Sequence, residues 1–137
     1  MRNSITRLFA LIFALAAAWL LQSCGFQEDY RLTLSCKGSN EVLSKLAQQP
    51  ATSETTEQTR RYAFELRELN GYHCHTWRKE KIACIRSQED DDSFIHESVT
   101  IHRTSMDVAH ITTTEKKKIG LVQEESFQGK CRPVIAE

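Results

Sequence analysis

The stretch "YRLTLSC", residues 30–36, decides the fold class. Its apolar side chains Tyr30, Leu32, Leu34 and Cys36 alternate with polar ones. A period of two is typical of a β-strand with one face buried and the other exposed to water. The stretch therefore predicts a β-strand that packs one face against a small hydrophobic core and exposes the other to water.

The same alternation returns along the rest of the chain. It is present in "RYAFELREL" (61–69), "KIACI" (81–85) and "SVTIHR" (98–103), and "KIGLVQEESFQG" (118–129) adds a last strand or two. We find no internal repeat and no sign of a second domain. The pattern predicts one mainly β domain over residues 30–137, an antiparallel meander closed into a small barrel or sandwich.

One segment has a different spacing. "SNEVLSKLAQQ" (39–49) offers a capping residue at Ser39 or Asn40, followed by apolar residues at helical intervals. It predicts one short N-terminal helix, which makes the class α+β. The polar stretch "PATSETTEQT" (50–59) has no period, and we expect a mobile loop there.

The N-terminus has the composition of a secretory signal peptide. The basic leader "MRNSITR" is followed by fourteen apolar residues, 8–21, which are too few for a comfortable membrane span. The run is apolar on every face, so an amphipathic helix is a poor alternative. We expect residues 1–23 to be removed on export.

The end of this segment, Leu21-Gln22-Ser23-Cys24, resembles the lipobox of bacterial lipoproteins. The resemblance implies that the Cys24 thiol receives a diacylglycerol and that cleavage frees an amino group for a further acyl chain such as palmitate. Two or three acyl chains hold a domain on a membrane durably. Residues 24–29 are then a short tether, and the alternative is an ordinary disulfide cysteine at Cys24.

The residue after the cysteine bears on the location. Lipoproteins retained in the inner membrane often carry Asp there, and this chain has Gly25. By that resemblance, the expected location is the bacterial cell envelope, on the outer membrane and facing the periplasm. The short motifs "CKG", "IAC" and "GKC" also loosely resemble those of small uncharacterised periplasmic lipoproteins, and they imply no functional residue.

The number of cysteines agrees with lipidation. Five cysteines are an odd set for an exported chain, and lipidation of Cys24 leaves four. An oxidising compartment lets these four form two disulfides, for which three pairings exist. We prefer Cys74–Cys84, which flanks a strand–turn–strand, and Cys36–Cys131, which ties the first predicted strand to the last.

Charge and motifs narrow the function classes. Without residues 1–23 the chain has 16 basic and 18 acidic residues, with no clustered basic run of the kind that nucleic acids bind. The chain lacks a phosphate-binding glycine loop and a Gly-x-Ser-x-Gly motif. Paired thiols provide no nucleophile. We therefore expect no enzyme and no cofactor.

Two weaker candidate sites remain. His73 and His75 flank Cys74, but residues two apart lie on the strand face opposite the cysteine, so they make only a weak metal site. Trp77 and Arg78 are residue types enriched at protein interfaces, although core packing is the more common role of a tryptophan in a small domain.

The leading hypothesis is a lipid-anchored, non-enzymatic envelope lipoprotein that binds another envelope protein in an inhibitory, immunity or assembly role. The alternatives are a metal-binding lipoprotein and a carrier of a small apolar ligand inside the barrel.

Overall fold

The fold is a single antiparallel sheet of eight strands. A computed structural model describes residues 31–135. The strands, in chain order, are β1 Arg31–Leu46, β2 Thr52–Glu65, β3 Glu68–Leu69, β4 His73–Trp77, β5 Lys81–Glu89, β6 Ser93–His102, β7 Asp107–Lys116 and β8 Leu121–Pro133. Each long strand is antiparallel to its neighbours, as short connections between consecutive strands require.

The sheet curls into a nearly closed barrel. The strand order is β3-β2-β1-β8-β7-β6-β5-β4, so the first and last long strands, β1 and β8, pair directly. The two edges of the sheet, at β3 and β4, approach each other without a ladder between them. This confirms the predicted mainly β antiparallel barrel.

Alternating side chains from every wall fill the barrel interior. The fully buried apolar set includes Leu34, Phe64, Ile82, Val99, Ile101 and Phe127. Leu34, Phe64 and Ile82 belong to the segments whose period of two predicted strands. Burial of a Leu, Ile or Phe side chain contributes about 1.5–3 kcal/mol each, so this cluster is the main stabilising element.

Two disulfides reinforce the barrel. Cys36–Cys131 joins β1 to β8 with a Cα–Cα distance of 3.9 Å, and Cys74–Cys84 joins β4 to β5 with one of 3.8 Å. Each links two residues that face each other in a ladder. These are the two pairs preferred from the sequence, and the first joins the first and last long strands of the chain.

The predicted N-terminal helix over residues 39–49 is wrong. The described part of the chain contains no helix, and residues through Leu46 continue strand β1. From Ser39 to Ser44, β1 is paired on both sides, with β2 and with β8, so its backbone polar groups have partners in the neighbouring strands. Asn40 is buried in the barrel, whereas Leu43 is 44% exposed outside. Pairing in the sheet outweighs a weak helical propensity.

The expected loop over residues 50–59 is also wrong. Strand β2 begins at Thr52 and pairs with β1 in continuous register from there. Residues 52–57 are exposed on both faces, so no alternation of polar and apolar residues marks them. Their threonines nevertheless suit an extended backbone.

Candidate functional site

The wall of the barrel is open between β2 and β5. Strand β3 pairs only with Phe64 and Glu65 of β2, and β4 pairs only with residues 82–85 of β5. Within residues 31–135, no strand pairs with the outer side of β2 from Thr52 to Ala63. We call this stretch of β2 the free edge.

The β2–β3 turn determines which backbone groups the free edge presents. Leu66 and Arg67 form a two-residue turn with φ values of 53° and 63°, as a type I′ hairpin requires. The flanking pair, Glu65 and Glu68, is then a hydrogen-bonded pair, so Glu65 directs its N–H and C=O away from β1. Alternation carries this direction to every second residue of the strand. Residues 55, 57, 59, 61 and 63 therefore present N–H and C=O groups outwards.

The free edge is polar and long. It contains the sequence "TSETTEQTRRYA", in which Thr52 to Glu57 are all exposed. Natural edge strands are usually short or interrupted by proline, bulges or lysine, because an unpaired edge invites a further strand. The ladder between β1 and β2 is regular throughout this stretch. The edge therefore offers a template for strand addition.

A partly buried polar network lies directly behind the free edge. Arg60 points into the barrel, forms an ion pair with Glu125 and donates a 2.9 Å hydrogen bond to the Asn40 side chain. Its guanidinium group also lies 4.8 Å from the centre of the Phe127 ring. Asn40 is 1% exposed, so water cannot reach its amide oxygen. The hydrogen bond from Arg60 gives this buried oxygen a partner.

A second ion pair completes the network on the β5 side. Arg86 pairs with Glu97, and its guanidinium group lies 4.6 Å from the centre of the Tyr72 ring. The Tyr72 hydroxyl donates a 3.1 Å hydrogen bond to the same carboxylate. Tyr72 lies between β3 and β4, so it spans the gap that the ladder leaves open.

His110 connects the two ion pairs. Its Nδ1 lies 3.0 Å from the Tyr62 hydroxyl and 3.3 Å from a guanidinium nitrogen of Arg60. Arginine is only a donor, so Nδ1 is an acceptor and the proton of the neutral ring sits on Nε2. Nε2 is buried without a hydrogen-bond partner, 3.7 Å from a Glu97 oxygen.

Burial sets the protonation of these groups. It lowers the pKa of His110, and the Arg60 charge lowers it further. Burial also raises the pKa of Tyr62 to about 12. It raises the pKa of Tyr72 to about 12 too, with the Glu97 charge acting in the same direction. At neutral pH the network therefore holds two ion pairs, a neutral imidazole and two neutral phenols.

This network connects polar side chains across the barrel interior. Both carboxylates are occupied by arginines, and both phenols keep their protons. Sequence reasoning missed it because its members come from six strands and from the loop before β4. The segment around Asn40 resembled a helix, and no local motif connects Arg60 with Glu125 or His110.

The sequence candidates for metal binding lie outside this network. His73 and His75 are exposed on β4, and a register shift lies between Cys74 and Thr76. Among residues 31–135 the structure brings together no group of three or more His, Cys, Asp or Glu side chains suited to hold a metal ion.

Of the two candidate interface residues, Trp77 packs against the core and Arg78 is exposed. The Trp77 ring packs edge-on against Phe64, with centroids 5.4 Å apart, and its Nε1 is buried without a hydrogen-bond partner. Trp77 thus packs against the core. Arg78 is exposed in the β4–β5 turn, where its N–H donates to the Lys81 carbonyl. The lipidation candidate, Cys24, lies outside the described residues.

Comparison with known proteins gives no relative. No family model matches the chain, and no curated protein and no solved structure match it either. In the described part of the chain, no helix is long and apolar enough to cross a membrane.

Proposed function

We propose that this chain is a lipid-anchored, non-enzymatic lipoprotein of the bacterial envelope. It faces the periplasm and binds another envelope protein, which adds a strand along the free edge of β2. Inhibition, immunity and assembly are the roles that suit such a module. The observation that carries the proposal is the unpaired outer side of β2 from Thr52 to Ala63.

The neighbouring strands hold the free edge in the extended conformation that strand addition requires. Strand β2 pairs with β1 over fourteen residues, and β1 is fastened to β8 by Cys36–Cys131. A strand held in this way is already extended, so a partner does not meet the entropic cost of ordering it. In strand addition, backbone hydrogen bonds give affinity and side chains beside the edge give specificity.

The charges beside the edge define the partner strand. Glu54 and Glu57 lie in the upper part of the edge, near the β1–β2 turn, and Arg60 and Arg61 lie in the lower part. Glu57 and Arg61 are exposed, and both direct their backbone groups outwards. A fitting strand carries a basic residue opposite Glu57 and an acidic residue opposite Arg61, because unlike charges directly across a ladder are favourable.

The composition of the barrel interior disfavours the carrier alternative. An apolar ligand at mid-barrel would meet the ion pairs Arg60–Glu125 and Arg86–Glu97, which a hydrocarbon cannot solvate. Nearer the end of the barrel that carries the β2–β3 turn, Phe127 and its buried neighbours already fill the interior.

Site-specific photocrosslinking in intact cells tests the binding role. A photoreactive residue at Glu57 or Thr59 should give one adduct, whose crosslinked peptide is an extended segment of one envelope protein. The matched control is Glu115, which is exposed on β7. Equal adducts at Glu115, or none at Glu57 and Thr59, would overturn the proposal.

A proline variant tests whether the partner binds by strand addition. Thr59→Pro removes an N–H that the β1–β2 ladder does not use, so the domain should still fold while the adduct from Glu57 disappears. Unfolding of the variant in denaturant checks that the barrel is retained. A persisting adduct would exclude strand addition.

The anchor is tested separately. Intact mass of the protein extracted from membranes should show a diacylglyceryl group and an N-acyl chain on Cys24. Cys24→Ser should release the protein from the membrane fraction. An unmodified mature mass would exclude the lipid anchor.

A further inference from the structure

The two ends of the barrel differ in charge. The lower end carries the turns at residues 66–67, 78–80 and 103–106, and the upper end carries those at 47–51, 90–92 and 117–120. The lower turns contain four basic residues and one acidic residue, namely Arg67, Arg78, Lys79, Arg103 and Glu80. The upper turns contain three acidic and two basic residues, namely Asp90, Asp91, Asp92, Lys117 and Lys118. Positive charge is therefore concentrated at one end.

The basic turns form one surface. The Arg103 N–H donates a 2.9 Å hydrogen bond to the Glu80 carbonyl, and the Arg103 guanidinium group donates to the Arg78 carbonyl at 3.3 Å. Arg78 and Lys79 are exposed beside them. This contact brings three basic side chains from two turns onto the same rim.

An apolar side chain lies at the same end. Leu66 is 64% exposed at the tip of the β2–β3 turn, next to Arg67. Glu65 and Glu68 flank this turn, so the contribution of Leu66 is apolar contact with the bilayer boundary, and the attraction to anionic headgroups comes from the basic turns.

The position of the proposed tether also places the lower end of the barrel near the membrane. Strand β1 begins at the lower end with Arg31, seven residues after Cys24. Seven residues reach at most about 25 Å even when fully extended. A lipid on Cys24 therefore keeps the lower end close to the bilayer, and this tethering raises the local concentration of headgroups around the basic rim.

We infer that the lower end of the barrel docks onto the anionic headgroups of the membrane that carries the lipid anchor. This rests on the proposed lipidation of Cys24. Docking fixes the orientation of the barrel, so that residues 52–57 of the free edge, at the upper end, point away from the bilayer towards a partner. Without docking, the domain turns freely on its tether.

Hydrogen–deuterium exchange of the lipidated protein in lipid nanodiscs tests the inference. The discs contain either phosphatidylcholine alone or phosphatidylethanolamine with phosphatidylglycerol. In the anionic discs, exchange in peptides covering residues 66–67, 78–80 and 103–106 should slow by about threefold or more, because docking excludes water from these turns. Peptides covering 90–92 and 117–120 should not change. High salt should remove the protection.

A pair of matched variants tests whether the protection depends on basic residues of the lower end or only on the net charge of the protein. Arg78→Gln with Lys79→Gln should abolish the protection, because each basic residue near an anionic surface favours the docked state by roughly fivefold. Lys45→Gln with Lys116→Gln makes the same change in net charge near the upper end and should leave the protection intact. Equal exchange in both disc types, or equal loss in both variants, would overturn the inference.

Failure of the anchor and failure of docking have different signatures. Intact mass reports the lipid on Cys24 independently of any exchange measurement. If the mass shows no lipid, the protein is added to vesicles of the same two compositions. Slowed exchange at the lower turns would then support the basic surface alone, and unchanged exchange would reject it.

Discussion

Gly38 and Gly129 face each other across the β1–β8 ladder, and neither position has room for a side chain. A Cβ on Gly38 would overlap the Gln128 carbonyl and the Gly129 Cα, and a Cβ on Gly129 would meet the Lys37 carbonyl. Two residues along the ladder, the Cα atoms of Cys36 and Cys131 are only 3.9 Å apart. Strands β1 and β8 thus approach closely here because both residues are glycine.

Replacement of Gly38 should therefore destabilise the barrel. Gly38→Ala forces backbone atoms of β8 to move, and we expect a loss of about 3 kcal/mol in the free energy of unfolding. Denaturant unfolding followed by Trp77 fluorescence measures it. Lys37→Ala, on an exposed neighbour, is the control and should change stability by less than about 0.5 kcal/mol. Equal stability of the two variants would contradict this account of the close β1–β8 approach.

The sequence predicts the barrel class because a period of two survives wherever one face of a strand is buried. It does so for Leu34, Phe64 and Ile82. It fails from Asn40 to Glu57, where a polar residue is buried and a strand is exposed on both faces, so local pattern carries no signal there. The free edge and the network depend on strand order and register, which pairing across the whole chain determines.

Protonation of His110 should make stability depend on pH. Burial and the Arg60 charge lower the pKa of His110 in the folded state, so below its ordinary pKa of 6.5 the unfolded chain binds more protons. The stabilisation is present above pH 6.5 and is lost as pH falls through the folded-state pKa, with a slope of at most about 1.4 kcal/mol per pH unit. Denaturant unfolding between pH 7.5 and 5 should show this decline.

The control for this pH dependence is a pair of histidine variants. His110→Gln should flatten the decline, although it lowers stability at neutral pH because Tyr62 loses its partner. His102→Gln, on an exposed histidine, should leave the decline unchanged. An unchanged slope in His110→Gln would show that another group is responsible.

The phenols of Tyr62, which is buried, and Tyr72, which is partly buried, should ionise only at high pH. Tyr62 and Tyr72 both have a pKa raised to about 12. Because the unfolded chain ionises these groups near pH 10, their stabilising effect is complete below pH 10 and is lost as pH rises towards 12. Phenolate absorbance at high pH should show two of the three tyrosines ionising only near pH 12 or on unfolding. Tyr62→Phe should remove one of these late steps, and two ordinary titrations in the folded protein would contradict the burial of the network.

The two disulfides should contribute unequally to stability. Cys36–Cys131 spans 95 residues and Cys74–Cys84 spans 10, so the first restricts the unfolded chain far more. On chain entropy alone, Cys36→Ala with Cys131→Ala should cost about 2 kcal/mol more than Cys74→Ala with Cys84→Ala. The sheet topology adds to this difference, because the first pair links β1 to β8, the strands that join the two halves of the sheet. Denaturant unfolding of the two double variants measures the difference directly. A larger loss from the Cys74–Cys84 pair would contradict this ranking of the two disulfides.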